Sequence, residues 1–409
     1  MINLFVKHQC PQCGAPALLL ETDRLFECGY CKVKSYLITK DHFRYRLPSS
    51  APKNKKLVFF PYWRFKGMLF CATADNIKHK FIDVSHQAIE SQYFPISVGL
   101  RSQALKIQFV SSETEGRFLK PTQSLEQVIQ SFEGRFIKTL PKPILHQSHI
   151  GETISLLYSP VYVENRVYDA VINRPVSALL PDGFDIEQFS GGQPDWCIQF
   201  LSTLCPHCGW DLQGARDTWV LLCKNCNSTW YPAGQSMKQL KFGKYPCIEN
   251  AGIYLPFWRI RADIKGVHLK SYTDLIKVAN LPKVSQPGWE NIEFRFWVPA
   301  FKILPKVFLR LSTHFTLAQP YQKLITELPE NRHYPINLPV AEAVEILKIN
   351  LASFLKPTKL LIDLLRDIKI DVKSFVLVYM PFEEKHHEFI QPDVQMAINK
   401  NILVLSNNL

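Results

Sequence analysis

Two cysteine quartets with identical spacing constrain this chain more than any other feature. Cys10-Pro11-Gln12-Cys13-Gly14 and Cys28-Gly29-Tyr30-Cys31 form CxxC-x14-CxxC, and Cys205-Pro206-His207-Cys208-Gly209 with Cys223-Lys224-Asn225-Cys226 repeat the pattern with the same gap. A CxxC turn bends two thiolates to one side of a metal, and a hairpin of about fourteen residues returns a second pair to close a tetrahedron. Thiolates in fours suit Zn(II) or a single Fe. Four protein ligands leave no open position for water or substrate, so each centre is expected to be structural and not catalytic. The competing use of these cysteines, two disulfides per motif, needs an oxidising compartment. The stretch before Cys10 is too short for a cleavable secretory leader, so a cytoplasmic location is expected.

These segments resemble zinc ribbons of the rubredoxin-like class over about 30 residues in each copy. The first knuckle, CPxCG, fits both zinc ribbons and iron rubredoxins. Rubredoxins repeat CPxCG at the second knuckle, whereas this chain has Cys28-Gly29-Tyr30-Cys31-Lys32 and Cys223-Lys224-Asn225-Cys226-Asn227 there, which favours zinc. The resemblance implies two structural zinc ions, one on Cys10, Cys13, Cys28 and Cys31, the other on Cys205, Cys208, Cys223 and Cys226. His207 lies inside a knuckle that already has its four cysteines and need not be a ligand. Cys71, Cys197 and Cys247 have no counterpart in the other copy and are read as buried thiols.

The quartets are offset by 195 residues, and the offset persists past them. Pro61-Tyr62-Trp63-Arg64-Phe65-Lys66 maps without a gap onto Pro256-Phe257-Trp258-Arg259-Ile260-Arg261. Further on, Tyr158-Ser159-Pro160 pairs with Tyr379-Met380-Pro381 at an offset of 221, so the second copy is 26 residues longer by that point. Tyr93-Phe94-Pro95 and Phe296-Trp297-Val298-Pro299 are a further candidate match. The expected fold class is α+β with an internal tandem duplication, each copy a four-cysteine ribbon of β hairpins followed by a β-rich α+β domain. The boundaries read as ribbon 1 at 1–46, domain copy 1 at 54–180, a Pro- and Gly-containing linker at 181–200, ribbon 2 at 201–235 and domain copy 2 at 247–409.

Within the copies, aromatic and β-branched runs predict strands at 57–73, 154–163, 253–264 and 374–382. Ser124 and Gln127 make a capping box before Leu125, Val128, Ile129 and Phe132 at helical spacing. In copy 2, Val340, Val344, Leu347, Leu351 and Leu355 form one helical stripe. Leu360, Leu361, Leu364, Leu365 and Ile368 form another after Pro357, so the extra residues are expected to be helical.

No apolar run approaches the roughly 20 residues of a membrane-spanning helix. The net charge of +12 is uneven: residues 31–80 hold twelve Lys or Arg against two acids, and 238–310 hold thirteen against five. Arg64, Lys66, Arg259 and Arg261 alternate with aromatic or aliphatic neighbours, which suits either a packed strand whose arginines anchor carboxylates or a basic surface for a partner. Nucleotide-binding, hydrolase-elbow and zinc-protease motifs are absent, and the Glu383-Glu384-Lys385-His386-His387-Glu388 cluster reads as a solvated hairpin tip. The expectation is a non-enzymatic zinc-binding adaptor for protein partners, with nucleic acid as the alternative ligand, an enzyme of unknown class third, and no small-molecule substrate indicated.

Overall fold

The computed structural model describes residues 4–99, 106–130, 140, 142–246, 251–330, 332–356, 365 and 367–406. The chain divides into two compact units built from discontinuous segments, Met1–Lys66, Ile82–Thr139 and Glu152–Thr203 in the first, and Gly67–Phe81, Leu140–Gly151 and Leu204–Leu409 in the second. Each unit thus holds one cysteine quartet. The segments 67–81 and 140–151, expected in domain copy 1, are counted with the second unit.

The first unit contains β1 (Phe5–Gln9), β2 (Pro16–Leu20), β3 (Leu25–Glu27), β4 (Lys34–Ile38), β5 (Phe43–Arg46), β6 (Val58–Thr73), β7 (Ile77–Gln87), β8 (Lys106–Phe109), β9 (Arg117–Leu119), β10 (Ile144–Val163), β11 (Val167–Asp169), β12 (Arg174–Pro175), β13 (Gly191–Gly192) and β14 (Gln199–Ser202). Of these, β6, β7 and β10 continue into segments of the second unit. Most join one sheet in the order β13-β9-β6-β10-β5-β8-β1-β2, with β7 on β6 and β11 on β10, while β14-β4-β3 form a small separate sheet. All 16 residues of β6 are buried, as expected of a strand hydrogen-bonded at both edges and covered on both faces. The first helix, α1 (125–130), begins with the predicted box: Ser124 N–H donates to Gln127 Oε1 at 2.8 Å, and Gln127 N–H to Ser124 Oγ at 3.3 Å. Phe132 lies outside the described residues.

The second unit contains β15 (Leu221–Cys223), β16 (Ser228–Ala233), β17 (Ser236–Leu240), β18 (Phe242–Lys244), β19 (Ala251–Lys265), α2 (Tyr272–Val278), β20 (Phe296–Pro299), α3 (Pro305–Ala318), α4 (Val340–Glu345), α5 (Leu347–Phe354), β21 (Lys369–Glu384), β22 (Glu388–Gln391), β23 (Met396–Asn399) and α6 (Lys400–Ser406). Its main sheet runs β20-β19-β21-β22-β23 with β18 on β21, and β15-β16-β17 form the ribbon sheet. The core packs Phe257, Trp297, Phe301, Phe308 and Phe315 between sheet and helices. Residues from the early segments enter this core, where Phe70 meets Phe308 at 6.1 Å between ring centres and Ser148 Oγ donates to the Glu345 carbonyl at 2.7 Å. The Gly151 N–H donates to the buried Glu342 carboxylate. The stripe at 340–355 is two helices and not one, broken at Ile346. Leu360, Leu361 and Leu364 lie outside the described residues. The Glu383–Glu388 cluster spans the end of β21, the turn at 385–387 and the start of β22, the hairpin tip expected.

One hydrogen-bond pattern occurs in both units. Ala88 N–H donates to the Pro61 carbonyl at 2.9 Å, and Ala300 N–H to the Pro256 carbonyl at 2.9 Å. Ala88 then accepts from Thr122 and Gln123, and Ala300 from Leu338. The indole N–H of Trp63 donates to the Gln123 carbonyl at 2.9 Å, and that of Trp258 to the Leu338 carbonyl at 2.9 Å. Leu47 N–H reaches Tyr158 and Tyr245 N–H reaches Tyr379, both at 2.9 Å. This pattern matches Phe296–Pro299 with the residues just before Ala88, and so not with Tyr93-Phe94-Pro95.

The stretch 181–200 is not a free linker. Gly191 and Gly192 pair with Leu119 and Phe118, Gln199–Ser202 add a third strand beside β4, and the Trp196 indole reaches Thr39 Oγ1 and Asp41 Oδ1, each at 3.2 Å. Pro and Gly here shape turns between short strands, and the composition that marks a linker also marks such turns. Among the described residues no helix is long and apolar enough to cross a membrane.

Candidate metal centres

Each quartet starts from a knuckle whose geometry the sequence dictates. Cys10 N–H donates to the Ala15 carbonyl at 2.8 Å and Gly14 N–H to the Cys10 carbonyl at 2.9 Å, and in the second ribbon Cys205 N–H reaches Trp210 at 2.7 Å and Gly209 N–H reaches Cys205 at 2.9 Å. Gly14 and Gly209 sit at φ of 70° and 73°, left-handed backbone that a side chain would strain, so glycine follows the second cysteine both times. The second knuckles turn through the same region without glycine, at Lys32 (φ 60°) and Asn227 (φ 52°). Asparagine tolerates this conformation better than lysine.

The hairpins bring the four sulfurs of each quartet within 4.8 Å of one another. Cys10 and Cys31 Sγ are 3.7 Å apart, as are Cys13 and Cys28, while Cys205 and Cys226 are at 3.6 Å and Cys208 and Cys223 at 3.4 Å. An ion about 2.3 Å from each of four sulfurs sets them roughly 3.8 Å apart, so both cradles fit a tetrahedral thiolate site. The eight thiols are free of disulfides. Cys10, Cys28, Cys205 and Cys223 are buried, which puts one side of each centre against its unit.

The sulfurs titrate as clusters. The backbone N–H groups of Cys31 and Tyr30 pull Cys28 down to about 6, and the Asn225 side chain with the Trp210 backbone pulls Cys208 down to about 6. Cys31 is pushed up to about 12, since burial and the sulfurs of Cys13, Cys28 and Cys10 outweigh the Val33 backbone, which favours its thiolate. Burial and the neighbouring sulfurs push Cys223 up to about 12. Four thiolates so close together repel one another, and a dication placed among them removes that repulsion.

The second centre also has a polar support: Ser228 Oγ lies 3.0 Å from Cys226 Sγ and accepts from the Trp230 indole at 2.8 Å. At an offset of 195 the first ribbon has Val33, without a hydroxyl. Aromatic or aliphatic side chains stand exposed at both knuckles, Tyr30 and Val33 in the first ribbon and Leu204 and Trp210 in the second. Sequence reading passes these over, although Tyr30, inside a knuckle, and Trp210, directly after one, are placed where a turn leaves little room to bury a ring.

Of the four basic residues read as candidates for a partner or nucleic-acid surface, Arg64 and Lys66 are corrected by their burial. Arg64 and Lys66 are buried at 5% and 2% exposure, because β6 is covered on both faces. Arg64 makes a bidentate pair with Glu21, Nε to Oε2 and Nη2 to Oε1 both at 2.8 Å, and reaches Asp83 at 2.6 Å. Burial alone would make its guanidinium easier to deprotonate, and the two carboxylates reverse that. Arg259 is half-buried, its guanidinium 5.9 Å from the Trp297 ring centre, and Arg261 is exposed and paired with Glu293. Of the three remaining cysteines, Cys71 is buried as expected, Cys197 is exposed and so departs from expectation, and Cys247 lies outside the described residues.

No protein-family model, curated protein or solved structure matches the chain.

Proposed function

We propose that the protein is a non-enzymatic, zinc-stapled adaptor for protein partners, built by tandem duplication of a ribbon and the domain that follows it. The observation that carries this reading is that each closed sulfur cradle lies under an exposed apolar knuckle: Tyr30 is 73% exposed and Trp210 57% exposed. Metal held by four thiolates does no chemistry at an open position, but it fixes a hairpin too small to hold itself together. A rigid hairpin that presents an aromatic ring loses little entropy on docking, and rings of this kind anchor protein interfaces. Two such knuckles on one chain supply avidity without new contacts.

Zinc is favoured over iron by the second knuckles, which lack the CPxCG form. The duplication is supported by the matched hydrogen bonds of Trp63 with Trp258 and of Ala88 with Ala300, beyond the identities in sequence. The nucleic-acid alternative keeps less support, since Arg64 and Lys66 are buried and Arg261 is already paired.

The test is affinity capture from the native source with zinc-loaded wild type against a Tyr30→Ser/Trp210→Ser double variant that retains its metal. Specific proteins captured by the wild type and lost by the variant are expected. An identical set from both proteins, or no specific protein from either, would remove the reading.

A further inference from the structure

The first unit contains a basic cleft that the adaptor reading does not use. Strands β1, β8 and β5 lie side by side, Lys7 pairing with Gln108 in parallel register and Arg46 pairing with Gln108 in antiparallel register. Residues directly opposite across strands project from the same face, so Lys7, Gln108 and Arg46 form one row. Lys106, two residues before Gln108, stands on that face as well. Leu18 pairs with Lys7 from the other side and is 43% exposed, adding an apolar wall. Together with Gln9 these residues line a cleft of about 810 Å³, and among the described residues no Asp or Glu lines it.

Arg46 is the informative member. It is half-buried, and its Nε is buried with no hydrogen-bond partner among the described residues. Burial lowers its pKa, with no carboxylate acting against that. The contrast is Arg64, which the same unit buries with two carboxylates in contact. Lys7, Arg46 and Lys106 make no ion pair among the described residues. A guanidinium that is partly desolvated beside two lysines needs a counter-charge, and the described residues offer none within the cleft.

We propose that this cleft binds a small organic molecule carrying an oligophosphate group. The backbones of the two outer strands of the row stand about 10 Å apart, within reach of two long side chains converging on one di- or triphosphate. Arginine suits it through paired N–H donors and lysine through point charge, while Gln108 supplies neutral donors and Leu18 contacts the organic portion.

The test is calorimetric titration of the zinc-loaded full chain with pyrophosphate, ATP and citrate, the last matching the charge without phosphorus. Saturable binding of pyrophosphate is expected, with ATP tighter and citrate weaker. Arg46→Gln is expected to weaken pyrophosphate at least about tenfold, and Lys7→Gln or Lys106→Gln about threefold each, while Lys40→Gln leaves it unchanged. Lys7 and Lys106 are exposed, so their variants remain informative if Arg46→Gln fails to fold. Absence of saturable binding by the wild type, equal affinity for citrate, or wild-type affinity in both lysine variants would overturn the proposal.

Discussion

Arg64 and Arg259 occupy matching positions after Trp63 and Trp258, yet their surroundings differ. Both tryptophans donate to a backbone carbonyl at 2.9 Å, but Arg64 is buried between Glu21 and Asp83 while Arg259 is half-buried against a ring. Counting back five residues from Ala88 and Ala300, which make the same hydrogen bond, Asp83 in the first unit corresponds to Arg295 in the second. Arg295 lowers the pKa of Arg259 further, after burial, and is itself paired with Glu293. Glu21 likewise has Arg216 at the offset of 195. The indole contact is common to both because it holds the strand to the loop entering a helix. The arginine is free to differ, since Arg259 is only half-buried and rests against the Trp297 ring, whose face meets part of its charge.

The ribbons differ in the same direction. The first hairpin of ribbon 1, β1 and β2, is part of the unit's large sheet, and β14 extends its second hairpin. Ribbon 2 is instead tied to its unit by separate contacts: Trp219 N–H to the Ile336 carbonyl at 2.7 Å, Asn227 to the Thr326 carbonyl at 2.9 Å, and Asn337 to Asp217 at 2.6 Å. Metal loss should therefore reach further into the first unit. Cys10→Ser and Cys205→Ser are each expected to lose one zinc and a sizeable part of the roughly 10–16 kcal/mol that structural zinc gives small fingers. Hydrogen exchange should show deprotection spreading through β1, β2 and β8 in the first variant, and confined to β15–β17 in the second. Equal spread in both would break the comparison.

Next in size is the arginine pair. Arg64→Met leaves Glu21 buried without its partner and is expected to cost about 3–5 kcal/mol by chemical denaturation, whereas Arg259→Met should stay within about 1 kcal/mol. Trp63→Phe and Trp258→Phe each orphan one carbonyl and should cost about 1–3 kcal/mol, alike in the two units. Unequal costs would undercut the matched roles of the two indoles.

The smallest expected effect is one of pH and belongs to the second unit. Burial pushes His146 and His149 down to about 4, so the folded state binds fewer protons than the unfolded state between that value and the ordinary 6.5. Their contribution to stability is complete above about pH 6.5 and is lost as pH falls toward 4. The urea midpoint should fall over that range and fall less in His149→Phe, and a wild-type slope in that variant would remove His149 from the account.

The metal cradles were legible because their signal is local, with four cysteines and a turn glycine set within 22 residues. The long strands were legible for a similar reason, as runs of aromatic and β-branched residues. The burial of Arg64 and Lys66 was not, because period-two alternation says which residues share a face but not whether that face is covered. Glu21, which compensates Arg64, lies 43 residues away, beyond any spacing rule. Helix α3 was within reach, since Pro305 opens it and Val307, Phe308, Leu311 and Phe315 recur at helical intervals. The division of β6, β7 and β10 between the two units leaves no mark in sequence, because each reads as one continuous strand.

The central claim is that the chain carries two structural zinc ions on its eight paired cysteines. Elemental analysis of purified wild type, Cys10→Ser and Cys205→Ser, with thiol counting before and after chelation, tests it most directly. The account predicts two zinc ions in the wild type, one in each variant, and eight thiols that become reactive only when the metal is withdrawn. Two ions retained in either variant, or eight thiols that react freely beforehand, would contradict it.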